Sequence, residues 1–70
     1  MVTIEEAFGS KAGKVWEALS KAKKPLSIAE IAEESEMDDE EVFVGLGWLG
    51  REGKVKIIEN RNKRKYELMR

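Results

Sequence analysis

The sequence predicts a small α+β domain, mainly helical, in which three helices precede a C-terminal β-hairpin. Three observations carry this prediction. Apolar residues recur at spacings of three and four from Ile4 to Ala22. Two helix-capping signatures, led by Ser27 and Asp38, follow one another closely. After Gly53 the apolar period drops from about 3.6 to about 2, the change from helix to strand.

The first helix is expected at about 4–22. Ile4, Phe8, Ala12, Val15, Leu19 and Ala22 form its stripe, and Thr3 with Glu6 supplies a capping box. Gly9 and Gly13 each cost about 1 kcal/mol against Ala in a helix interior, which predicts a kink or a frayed turn before Ala12. Lys23-Lys24-Pro25 ends the helix, because Pro disfavours helical geometry in the residue before it. Pro25-Leu26 reads as a short extended piece.

The second helix is expected at about 28–35, capped by Ser27 and Glu30, with Ile28, Ile31 and Ala32 inward and Leu26 placed to staple onto Ile31. The same grammar repeats with Met37, Asp38, Glu41 and Val42. Only Ser35-Glu36-Met37 separates the two helices, so they form a helix-turn-helix. The third helix is expected at about 39–52, with Val42, Leu46 and Leu49 as its core face, Phe43 at the border of that face, and Gly53 as a left-handed terminator. Hairpin strands are expected at about 54–59 and 63–69. Val55 and Ile57 point inward on one and Tyr66 and Leu68 on the other, around turn residues 59–63. Ile58 breaks the alternation and suggests a bulge or an edge contact.

All of this fits one domain over residues 1–70. At this length a fold buries only about 60% of its extended surface, so nearly every large apolar side chain is needed in the core. The chain has neither Cys nor His. That excludes disulfides, cysteine nucleophiles, histidine bases and ordinary zinc sites. No apolar run is long enough to span a bilayer, and the N-terminus lacks a signal-peptide layout, so a cytoplasmic protein is expected. The near-neutral total hides a division. Residues 1–53 carry six bases against twelve acids, a net −6; residues 54–70 carry seven bases against two acids, a net +5. A partner meets one end or the other.

Helix-turn-helix followed by a hairpin resembles the winged helix-turn-helix fold, and in particular a family of small prokaryotic winged-helix proteins of unestablished function. Ala12-Gly13-Lys14-Val15-Trp16-Glu17-Ala18-Leu19, Glu40-Glu41-Val42, Leu46-Gly47-Trp48-Leu49 and Arg51-Glu52-Gly53-Lys54-Val55 carry the resemblance, which covers roughly residues 8–58. It implies the fold and a homodimer, and no particular activity.

Many winged helices put the third helix in the major groove and the hairpin along the backbone. The wing suits that use: Arg61, Lys63, Arg64 and Lys65 cluster near its tip beside Asn60 and Asn62, and each neutralised phosphate releases counterion. The alternative is that these bases simply keep a strand edge soluble. The third helix does not suit it. Asp38-Asp39-Glu40-Glu41 complements the helix dipole but repels phosphate. Its outer face offers Glu40, Val44, Gly47, Arg51 and the flanking Trp48, where a base reader needs Arg, Lys, Asn or Gln.

Val44, Gly47, Trp48 and Arg51 read instead as a protein interface. Gly45, Gly47 and Gly50 weaken a helix unless another backbone comes close, and Trp is enriched at interface anchors. The same glycines and tryptophans also suit packing within one chain. For Trp16, beside Gly9 and Gly13, covering the core edge is the favoured reading, and Phe43 is expected in the core. Catalysis is the weakest hypothesis, since only carboxylates are available and they lack calcium-loop spacing.

The expectation is therefore a non-enzymatic macromolecule-binding module, homodimeric through its third helix. The alternative is a DNA-binding, transcription-associated protein gripping duplex backbone through the wing. No cofactor, metal, membrane or small-molecule substrate is expected.

Overall fold

The computed structural model describes residues 2–69; Met1 and Arg70, included in the expected domain, lie outside the described residues. Three helices, α1 (Ile4–Ala22), α2 (Ile28–Ser35) and α3 (Asp39–Arg51), lead into strands β1 (Val55–Asn60) and β2 (Lys63–Leu68). This is a winged helix-turn-helix.

Each helix starts on a complete capping box. The Thr3, Ser27 and Asp38 side chains accept from the backbone N–H three residues on, and Glu6, Glu30 and Glu41 reach back to the N-cap N–H. These reciprocal bonds satisfy donors that a helix start leaves without partners. α1 and α2 end on residues in the left-handed region, Lys23 (φ 56°) and Glu36 (φ 59°), and Gly53 (φ 72°) follows α3. α3 stops one residue before the expected end, with Glu52 as its C-cap.

The core is built from the predicted stripes. Ala12, Val15, Ala18 and Leu19 of α1 meet Ile31, Met37, Val42, Leu46 and Leu49, and Leu26, Tyr66 and Leu68 close it from below. Ile28 and Ala32 pack against it half-buried. Leu26 exchanges both backbone hydrogen bonds with Tyr66, at 2.9 and 2.7 Å, and so acts as a one-residue third strand beside β2.

Several expectations need correction. α1 is continuous through Gly9 and Gly13, with no break before Ala12. Its first turn reaches no core: Ile4 is exposed, and Phe8 is only partly covered. Phe43, expected in the core, is 57% exposed and lies outside it; Trp16, expected to cover the core edge, is 46% exposed. Phe43 sits on the flank of α3 that faces β1, and the two-stranded sheet ends at β1, so no further strand closes over the ring. The hairpin pairs without a bulge at Ile58, from Val55 opposite Leu68 to Asn60 opposite Lys63. Strand β1 is displaced one residue from the expected 54–59, and β2 stops at Leu68, because a tight two-residue turn, Arg61-Asn62, draws Glu59 and Asn60 into the ladder.

Candidate functional site

Two surfaces collect the residues that sequence reasoning singled out. The first is the outside of α3. Its inner side is committed to the core through Val42, Gly45, Leu46 and Leu49. At Gly45 α3 packs tightly on α1: a Cβ there would stand 2.8 Å from the Lys11 carbonyl oxygen and 2.7 Å from Val15 Cγ2. That glycine is explained within the chain. Gly47 differs, having nothing within 4 Å of a would-be Cβ, and at Gly50 only Val55 Cγ2 comes to 4.0 Å.

Phe43, Gly47 and Gly50, at spacings of four and three, line up on the flank of α3 that faces β1. With Val55, Ile57 and Tyr66 they wall an open, largely apolar groove. Val44, Trp48 and Arg51 lie on the other flank. Trp48 is half-buried, its ring edge-on to Phe8 with centroids 6.1 Å apart and planes at 90°. Val44 is half-buried and Arg51 exposed. The four predicted interface residues thus divide, Gly47 to the groove and Val44, Trp48 and Arg51 to the other flank, where Trp48 meets Phe8 of α1. Phe43 and Ile57 are the members sequence reasoning missed, whereas Gly50 stood among the glycines expected at a close approach. The stripe Phe43–Gly47–Gly50 was readable, but Phe43 looks like core until the helix crossing is known.

Acidic groups lead α3. Asp38 and Glu41 are occupied by their capping box, and Glu41 Oε2 lies 3.8 Å from Lys11 Nζ. Among the described residues Asp39 and Glu40 have no ion-pair partner.

The second surface is the wing. Its six predicted residues are close in space but not equivalent. Arg64 donates to Glu59 Oε2 from Nε (3.3 Å) and from an Nη (3.1 Å), a cross-strand fork that raises its pKa above the ordinary arginine value. Lys65 Nζ lies 3.9 Å from Glu30 Oε1 on α2. Glu30 also accepts the Ser27 backbone N–H at 2.8 Å; that bond first, with the Ser27 hydroxyl and Lys65 behind it, holds its carboxyl below the usual range. Among the described residues, Arg61 and Lys63 are the wing bases without a carboxylate partner. Asn60, Arg61, Asn62 and Lys63 are all exposed. Arg61 is held at φ 61°, where glycine is the relaxed choice in a two-residue hairpin turn.

Among the described residues no group of three or more Asp or Glu is arranged to hold a metal ion, and no helix is long and apolar enough to cross a membrane.

The fold and these two surfaces define a winged-helix module of the kind that binds nucleic acid or another macromolecule. The chain belongs to the family described as Winged helix-turn-helix domain (DUF2582), which it matches over residues 3–68. It is similar to the solution NMR structure of protein BT2368 from Bacteroides thetaiotaomicron, at 33% identity and a TM-score of 0.86, covering 94% of this chain and 79% of that one. No curated protein sequence matches it.

Proposed function

We propose that this protein is a non-enzymatic, cytoplasmic interaction module that pairs with itself through the outer face of α3. One observation carries the reading. Where a base-reading helix would be polar and cationic, α3 presents Phe43, 57% exposed, and two side-chain-free positions, Gly47 and Gly50. Exposed apolar surface of this kind is favourable against polypeptide and gains nothing from phosphate. Gly47 lies within the contact, Arg51 rims it, and Val44 and Trp48 border it, Trp48 with its ring edge-on to Phe8.

Sedimentation equilibrium on the wild type and on Phe43→Glu tests this. The wild type is expected to dimerise in the micromolar range, and Phe43→Glu to weaken the dimer at least tenfold while keeping its helical circular dichroism. A wild type that stays monomeric at several hundred micromolar ends the proposal.

A second reading has its own observation. Arg61 and Lys63 stand at the hairpin tip without carboxylates, and Arg61 occupies a backbone position better suited to glycine. These two bases support contact with duplex DNA backbone. Their number is half that suggested by the sequence, because Arg64 and Lys65 already face Glu59 and Glu30. Titration against duplex DNA at two salt concentrations decides it: a slope of about two released counterions fits this contact, and no binding at low salt removes it.

A further inference from the structure

The free edge of β1 has a polarity and a symmetry that select what can pair with it. Tyr66 spends both its backbone groups on Leu26, so the Ile57–Tyr66 pair is not a hydrogen-bonded one. Ile57 therefore turns its N–H and C=O away from β2, and by the two-residue period so do Val55 and Glu59. Among the described residues, none of these groups has a backbone partner outside the hairpin. Ile57 lies on the same face as buried Tyr66, yet is 54% exposed because no strand follows it.

We infer that the occupant of this edge is β1 of a second copy, added antiparallel about a two-fold axis through Ile57. This rests on the proposed self-association and specifies how it is made. The two-fold must relate residues on the same sheet face, so it passes through a residue and not between two. Centring at residue 55 sets Lys54 against the partner's Lys56. Centring at residue 56 or 59 sets Lys56 or Glu59 against itself. Like charges directly opposite are destabilising. Centring at Ile58 leaves Val55 facing the turn, outside the ladder. Only Ile57 as centre uses the free backbone groups of all three residues. It sets Ile57 against the partner's Ile57, Val55 against the partner's Glu59 and Lys56 against the partner's Ile58, with no like charges opposed.

The glycines of α3 then acquire a role. The partner's Val55 and Ile57 would carry their side chains on the core face of the extended sheet, over the groove walled by Phe43, Gly47 and Gly50. The absence of side chains at 47 and 50 leaves room for them. The result is a continuous sheet across the dimer, with both wing tips and their free bases directed outward at opposite ends.

Two variants test this separately from the proposed function. Ile57→Pro removes the outward N–H, which the hairpin itself does not use, and although it also fixes φ and shortens the side chain, Pro is tolerated on such edges. It is expected to raise the dimer dissociation constant at least tenfold with the monomer's circular dichroism unchanged. Ile57→Cys, in a chain with no other cysteine, places two thiols on hydrogen-bonded partners whose Cα atoms are about 5.5 Å apart, within disulfide reach. Mild oxidation is expected to give covalent dimer there and none for Asn62→Cys at the turn. A wild-type dimer indifferent to Ile57→Pro, with no cross-link at residue 57, overturns the edge pairing and leaves dimerisation through α3 standing. A monomeric wild type overturns both.

Discussion

Gly45 of α3 rests on the backbone of Lys11 in α1, with 2.8 Å between the Lys11 carbonyl oxygen and the point a Cβ would occupy. Backbone cannot yield there as a flexible side chain would. Gly45→Ala gains about 1 kcal/mol of helix propensity but forces two packed helices apart, a change that costs about 1–3 kcal/mol. The net is expected to be destabilising, by up to about 2 kcal/mol. Thermal unfolding should show it as a fall of several degrees, about 4–8 °C for each kcal/mol.

Gly13 in α1 gives the opposite result by the same reasoning. Nothing lies within 4 Å of its would-be Cβ. Gly13→Ala is therefore expected to stabilise by about 0.5–1 kcal/mol, raising the melting temperature by a few degrees. A loss of stability would mean that this part of α1 is bent or frayed in solution.

Glu30 ties the start of α2 to the wing, and its carboxyl is held below the usual glutamate range by the Ser27 backbone N–H. A depressed folded-state pKa contributes stability above the unfolded value and loses it as pH falls through the folded one. Glu30→Gln keeps a capping-box side chain but does not titrate. In urea titrations, the wild type should exceed Glu30→Gln in stability at pH 7, and the difference should shrink toward zero below the ordinary glutamate pKa. A gap that widens in acid would contradict the capping role.

Arg61 holds φ 61° at the first central position of the hairpin turn. Arg61→Gly is expected to stabilise the domain by about 0.5–1 kcal/mol by relieving that position. The same change removes one of the two unpartnered wing bases. If the wing touches duplex DNA, the salt slope of binding should fall by about one counterion.

Much of the fold was legible because its signals are local. A capping box is a contact between residues three apart, and Thr3–Glu6, Ser27–Glu30 and Asp38–Glu41 all form as their spacing predicts. Gly53, the shift of period after it and the stripes through Val15, Ile31 and Leu46 likewise depend on neighbours along the chain. The candidate site was only partly legible. Gly47, Arg51 and the wing residues could be named, but Phe43 and Ile57 looked like core.

What the sequence determined by itself was therefore where each helix begins, to within one residue where it ends, most of the stripe that each buries, and that a hairpin follows. The tertiary structure alone decided that α3 rests on α1 at Gly45, that β1 is an edge with no strand beyond it to cover Phe43 and Ile57, and that Glu59 and Glu30 take up Arg64 and Lys65. The physical reason is range. Capping and periodicity act within a few residues, whereas exposure of a helix flank and pairing of a surface charge depend on which distant element arrives beside it.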